Sequence, residues 1–204
     1  MKRVLLILPS ATYRAHDFTQ AAATLGADLI VASDRRQALS AFLGDRALVL
    51  PLNRPEEAAQ RVVDHAARLP IDAVVAVDDQ GVRAAALAAE RLGLKTSDPE
   101  AVARTRDKAA MRDALASAGV PQPGYLSVAP GQPLPDDLTY PVVLKPVGLS
   151  ASRGVIRADD PAGARAAAER IRTMTGNDDD PLLVESFVPG DEVAVEGLLR
   201  RGKL

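Results

Sequence analysis

Residues 140–154, YPVVLKPVGLSASRG, carry a lysine at the end of an apolar strand and then break into a loop of small residues. Val142, Val143 and Leu144 form the short apolar run typical of a fully buried strand, and Lys145 follows directly. An ammonium there has no obvious room unless an anion meets it. Pro146 stops the ladder. Gly148, Ser150, Ser152 and Gly154 come next, and their small size and open backbone angles let several N–H groups converge on phosphate oxygens. Taken alone, the segment also fits a snorkelling lysine beside an ordinary turn. Composition weighs against that alternative, because the chain has 20 Arg and only 5 Lys and fills its ordinary positive positions with arginine. The loop is not a Walker A element, since no Gly-Lys-Ser/Thr follows the glycines.

Downstream, Gly154 to Arg157 reads as a second strand, and Asp160 to Met174 as a helix with Ala164, Ala168 and Ile171 inward. The acidic turn Asn177 to Asp180 leads into a strand at Leu182 to Glu185, followed by Ser186-Phe187-Val188-Pro189-Gly190. From Asp191 the pattern alternates, with Glu192, Ala194 and Glu196 on one strand face and Val193 and Val195 on the other. Upstream, Asp107 opens a helix with Met111, Leu115 and Ala118 on one face, ended by Gly119-Val120-Pro121. Lys108 sits in its first turn, where a cation opposes the helix dipole and a bound anion would offset the cost. Pro121, Pro123, Pro130, Pro133 and Pro135 make a stiff connection that reads as a domain boundary.

The first hundred residues alternate short apolar runs, Val4 to Leu8, Leu29 to Ala32, Ala47 to Leu50 and Ala73 to Val77, with helical patterns. The helices are expected from about Asp17 to Leu25, from about Asp34 to Phe42, from Pro55 with Ala59, Val62, Ala66 and Leu69 on one face, and from after Asp79 to Gly93. Such a βαβα order predicts a parallel sheet covered by helices on both faces. Ligands in such sheets sit at the carboxyl ends of the strands, here Pro9 to Thr12, Ser33-Asp34 and Asp78 to Gln80. No G-x-G-x-x-G occurs there, and Asp78-Asp79 reads more readily as a helix N-cap than as a metal or phosphoacceptor site. His16 and His65 lack a second ligand at metal spacing, and His65 is expected half-exposed in mid-helix.

At 204 residues and 47% hydrophobic content the chain can bury a core without staples. Zero cysteines exclude disulfides, thiolate metal sites and a cysteine nucleophile, which fits a cytoplasmic location. A net charge of -2 with 3% aromatic residues argues against a nucleic-acid surface. No membrane segment is evident, and the apolar run after Lys2-Arg3 ends at Pro9, short of a signal peptide.

Four segments in series, TRDKAAMRDALASAGVPQP at 105–123, YPVVLKPVGLSASRGV at 140–155, LLVESFVPG at 182–190 and DEVAVEG at 191–197, resemble the ATP-grasp superfamily of carboxylate-amine ligases. The preceding four-strand unit is similar to that superfamily's N-terminal domain. The resemblance implies an α/β chain, with a Rossmann-like parallel βαβ domain at 1–96 and linker helices at 97–123. The small α+β subdomain of an ATP-grasp fold then occupies 124–204, truncated. It implies ATP as cofactor, with Lys108 and Lys145 on the phosphates and Ser150 to Gly154, including Ser152, as a lid over them. Glu185 and Val188 correspond to the pair whose main chain reads the adenine edge, and Glu192 to the carboxylate on the ribose hydroxyls. Both lysine roles suit a compact ammonium better than arginine's rigid fork.

The family's reaction activates a carboxylate as an acylphosphate with formation of ADP, and an amine then displaces phosphate. The implied partners are small-molecule carboxylates and amines, amino acids among them, with a homodimer compatible and neither nucleic acid nor membrane involved. Mg2+ is implied too, but its ligands are expected beyond Leu204, so no catalytic or metal residue is assigned within the chain. The final RRGKL reads as a hairpin turn at Arg201-Gly202 whose return strand is missing. The chain alone is accordingly expected to bind nucleotide weakly and to ligate nothing; the alternative is a non-catalytic nucleotide-binding or partner-binding module.

Overall fold

The computed structural model describes residues 1–36, 40–176, 180–199 and 202–204. Residues 37–39 of the second expected helix, 177–179 of the acidic turn and Arg201 of the expected hairpin lie outside the described residues. The chain forms two compact units, Met1–Asp107 and Lys108–Leu204.

In the first unit four short strands, β1 (Arg3–Ile7), β2 (Asp28–Ser33), β3 (Ala47–Val49) and β4 (Ala73–Ala76), form a parallel sheet in the order β3-β2-β1-β4. Each strand falls where an apolar run was expected. Helices α1 (Ala15–Thr24), α2 (Ser40–Leu43), α3 (Pro55–Ala66), α4 (Val82–Arg91) and α5 (Pro99–Arg106) connect or follow them. Pro55 opens α3, its missing N–H costing nothing in the first turn, and Asp98 caps α5 by accepting from the Glu100 and Ala101 amides.

The main core cluster lies on one side of this sheet, while Leu6 of β1, on the other side, is also buried. Leu5 and Ile7 of β1 and Ile30 and Ala32 of β2 pack with Ala58, Ala59 and Val62 of α3 and Ala84, Leu87 and Ala88 of α4. Cover on both faces was the expectation, and Leu6 on the second face is 3% exposed, although α1 itself contains no fully buried residue. The cause is its composition, since AHDFTQAAAT offers few large apolar side chains.

Gly81 precedes α4 and lets its first turn approach the sheet, because a Cβ there would sit 2.8 Å from Ile7 Cγ2 and 3.2 Å from Ala76 Cβ. Gly81→Ala is therefore expected to cost the first unit about 1–3 kcal/mol of stability, read by chemical denaturation.

His65 is corrected by the structure. It is buried at 3% exposure rather than half-exposed, and among the described residues its Nε2 has no hydrogen-bond partner. The inward face of α3 keeps the expected Ala59 and Val62 buried and Ala66 and Leu69 packed against the core, and adds Ala58 and His65. Burial, with Arg68 adding to it, pushes the imidazole pKa below its ordinary value. The folded state thus resists a proton that the unfolded chain accepts near pH ~6.5. This contribution to stability is present above that pH and is lost as pH falls through and below it. The first unit should weaken on acidification from pH ~7.5 to ~5, and His65→Leu should flatten that slope in denaturation curves at the two pH values.

In the second unit β5 (Tyr125–Val128), β6 (Val142–Pro146), β7 (Ile156–Ala158) and β8 (Leu182–Ser186) form an antiparallel sheet in the order β5-β8-β6-β7. Helix α6 (Lys108–Ser117) begins the unit, and α7 (Pro161–Thr175) follows β7. The stretch expected as a proline-rich connection holds β5, which pairs with β8. Helix α7 is sharply bounded, with Asp160 accepting from the Gly163 amide at its start and Gly176 in the left-handed region at its end. Its Ala164, Ala167, Ala168 and Ile171 pack on Val142, Leu144, Leu182 and Val184.

That packing decides the face on which Lys145 emerges. Strand β6 is not buried on both sides: Val142, Leu144 and Pro146 are buried, while Val143 and Lys145 are half-buried on the other face. The alternating segment after Asp191 does not form a strand either. Residues 191–199 take no regular secondary structure and are exposed, and they form no ladder to hold an extended chain in a sheet.

Candidate functional site

The site is the face of the second sheet turned away from α7. In the β6/β8 register Val143 stands opposite Glu185, so Lys145, two residues along the same face, lies diagonal to it. Lys145 Nζ donates to Glu185 Oε2 at 2.5 Å, and Arg112 Nε from α6 donates to Glu185 Oε1 at 2.8 Å. Glu185 is 4% exposed, whereas the two cations retain 20% and 16% side-chain exposure. Burial alone would raise the Glu185 pKa; the hydrogen bonds from Arg112 and Lys145, with their charges, outweigh it and hold the carboxyl below its ordinary value.

Arg112 is in turn placed by Gln122. Its Nη1 donates to Gln122 Oε1 at 3.4 Å, and Gln122 Nε2 donates back to the Arg112 carbonyl at 2.9 Å. Tyr125, across the ladder from Glu185, donates its hydroxyl to Asp113 Oδ1 at 2.7 Å. Two cations on one carboxylate leave this cluster with a surplus positive charge.

Lys108, half-buried at the start of α6, donates its Nζ to the Val147 carbonyl at 3.4 Å and to the Leu149 carbonyl. Its own amide donates to Val147 O at 3.3 Å. It therefore sits on the segment that immediately follows Lys145. The loop beyond is strained in a specific way: Ala151 and Ser152 adopt φ of 57° and 55°, where non-glycine residues are rare. Gly154 closes the loop at φ 73°, and a Cβ there would lie 3.0 Å from Pro146 Cδ and Cγ. Only glycine meets both demands.

The structure thus brings together Lys108, Lys145, Glu185 and the loop of Ser150, Ser152 and Gly154. Val188, 61% exposed, lies just past the end of β8, beyond Phe187, whose ring stacks under the Arg157 guanidinium at 4.1 Å. Glu192 lies on the exposed irregular segment. Glu185 had been assigned through its main chain; here that main chain lies in the ladder between Tyr125 and Val143, and its side chain holds the cluster. Sequence reasoning missed Arg112 and Gln122. The signal was the four-residue step from Lys108 to Arg112, which puts both cations on one side of α6.

Residues 138–204 match the ATP-grasp domain and residues 19–96 match the ATP-grasp N-terminal domain, together most of the chain. The chain belongs to the ATP-grasp family. Among its relatives, an uncharacterized protein of Sinorhizobium fredii, y4rH, is 39% identical over 48% of this ATP-grasp chain and 22% of its own length. Alanine–anticapsin ligase of Bacillus subtilis is 26% identical over 74% of the chain and 37% of the ligase. The crystal structure of L-amino acid ligase from Bacillus licheniformis shares the fold at a TM-score of 0.68 and 24% identity, covering 93% of this chain and 45% of that one. The ATP-grasp chain described here therefore spans less than half the length of each of these proteins.

A family of this kind implies ATP and magnesium. Toward a nucleotide the chain offers the Lys145 ammonium on Glu185, the Lys108 ammonium on the Val147 and Leu149 carbonyls, and, next in sequence, a loop with left-handed backbone at Ala151 and Ser152. Among the described residues no group of three or more His, Cys, Asp or Glu could hold a metal ion. Among the described residues no helix is long and apolar enough to cross a membrane.

Proposed function

We propose that the chain is the ATP-binding portion of a ligase that joins a carboxylate to an amine, with amino acids as the substrate class. The observation that carries the reading is the part-buried cluster of Lys145 and Arg112 on Glu185, whose surplus charge lies one loop away from Lys108. The name of the Bacillus subtilis relative, alanine–anticapsin ligase, supports the amino-acid class.

In this reading Lys145 and Lys108 contact the phosphates, and the backbone N–H groups of the loop from Ser150 through Ser152 to Gly154 close over them. Glu185 and Val188 flank the adenine, and Glu192 takes the ribose hydroxyls once the segment after Asp191 is ordered. ATP supplies the phosphoryl group that activates the carboxylate for displacement by the amine. The chain's own contribution is to hold and orient the nucleotide and to exclude water from it.

Calorimetric titration with ATP and magnesium is expected to give saturable binding of one nucleotide per chain. A folded chain that produces no binding heat would overturn the reading.

A further inference from the structure

We propose that Arg112 is a positioning residue that releases Lys145 to the nucleotide by keeping Glu185 paired when Lys145 leaves it. The inference rests on the nucleotide reading above and gives Arg112 a role that reading does not assign to it.

In the structure Lys145 is engaged, its ammonium 2.5 Å from Glu185 Oε2. To reach a phosphate it must give up that contact. With no other partner, Glu185 at 4% exposure would then be a buried, unpaired carboxylate, a state costly enough to hold the lysine in place. Arg112 removes that obstacle. It comes from a different element, grips the other carboxylate oxygen at 2.8 Å, and is steadied by its reciprocal bonds with Gln122. Its guanidinium stays charged throughout. The groups facing Glu185 are therefore Lys145 from β6 and Arg112 from α6. Tyr125 of β5 stands across the ladder, its hydroxyl committed to Asp113. Val143, also opposite, is apolar.

The exchange has a proton signature. Without Arg112, Lys145 can leave only if Glu185 takes up a proton in its place. In wild type the carboxylate stays ionised and no proton is taken up there.

The experiment is calorimetric titration with ATP and magnesium in buffers of different ionisation enthalpy. It compares wild type with Arg112→Met, Arg112→Lys, Glu185→Gln and the double variant Arg112→Met/Glu185→Gln. Arg112→Met is expected to weaken binding at least about tenfold near pH ~7.5 and to take up close to one additional proton per nucleotide. Arg112→Lys should stay within about threefold of wild type. The double variant should bind within about threefold of Glu185→Gln alone, because with no carboxylate to strand Arg112 has nothing to do. If Arg112→Met does not fold, the Arg112→Lys and Glu185→Gln comparisons with the double variant, which has no carboxylate to strand, still decide the matter.

Arg112→Met binding like wild type with no extra proton would overturn the proposal. So would equal losses from Arg112→Met in the presence and absence of Glu185. A folded wild-type chain that binds no ATP fails the nucleotide reading itself, before any variant is compared, and this inference with it.

Discussion

Glu185→Ala is expected to lower the stability of the second unit by about 3–5 kcal/mol, the range for removing one partner from a buried charge group. The loss is large because what remains is worse than a gap. Arg112 and Lys145, 16% and 20% exposed, would be left facing one another with no counter-charge between them. Conversion of the whole group to an apolar one, Glu185→Leu with Arg112→Met and Lys145→Met, should recover most of that stability while removing nucleotide binding. Such a result would show that the cluster is kept for its charge rather than for holding the fold together. Acid acts on the same group. The Glu185 pKa is held below that of the unfolded chain, so its stabilisation is present above the ordinary carboxylate range and is lost as pH falls through the depressed folded value. Denaturation curves across that range should show the decline in wild type, and Glu185→Gln should remove Glu185's share of it.

Lys145→Met is expected to weaken ATP binding at least about thirtyfold, close to 2 kcal/mol, as fits the loss of a charge-assisted hydrogen bond in a part-buried site. The fold should survive, because Arg112 continues to pair Glu185. Lys145→Arg should not restore the affinity. A guanidinium in that place is drawn into a two-pronged pairing with Glu185, whereas an ammonium can turn from carboxylate to phosphate about one carbon stem. Calorimetry on the two variants separates charge from shape.

The parts of this arrangement that were legible in the sequence share a cause. Four parallel strands, the start of α3 at Pro55, the start of α7 after Asp160 and the inward face of α7 all follow from local patterns in which period, cap and breaker agree. Lys145 was legible because an apolar strand in an arginine-rich chain has little reason to end in lysine. What could not be read depended on partners distant in sequence. Arg112 and Glu185 are 73 positions apart, and nothing near either one announces the pairing. The one-sided burial of β6 depends on α7 covering only one face, a tertiary fact that the run Val142-Val143-Leu144 cannot carry. Strand β5 was hidden by the prolines around it, since Tyr125–Val128 is extended by pairing with β8 rather than by its own composition. The segment after Asp191 shows the converse error: strict alternation indicates which faces a strand would have, while the ladder must come from a neighbour.

The central claim is that the nucleotide binds on the Lys145 face of the second unit. Two-dimensional amide NMR of the chain, titrated with ATP and magnesium, tests it most directly. The account predicts saturable shifts concentrated at Lys108, at Val147 to Gly154 and at Glu185 to Val188, with the side-chain signal of Lys145 moving as its contact with Glu185 is exchanged for phosphate. Shifts confined to the carboxyl ends of the first sheet, at Ser10 to Thr12 and Asp78 to Gln80, or no shifts at all in a folded chain, would contradict it.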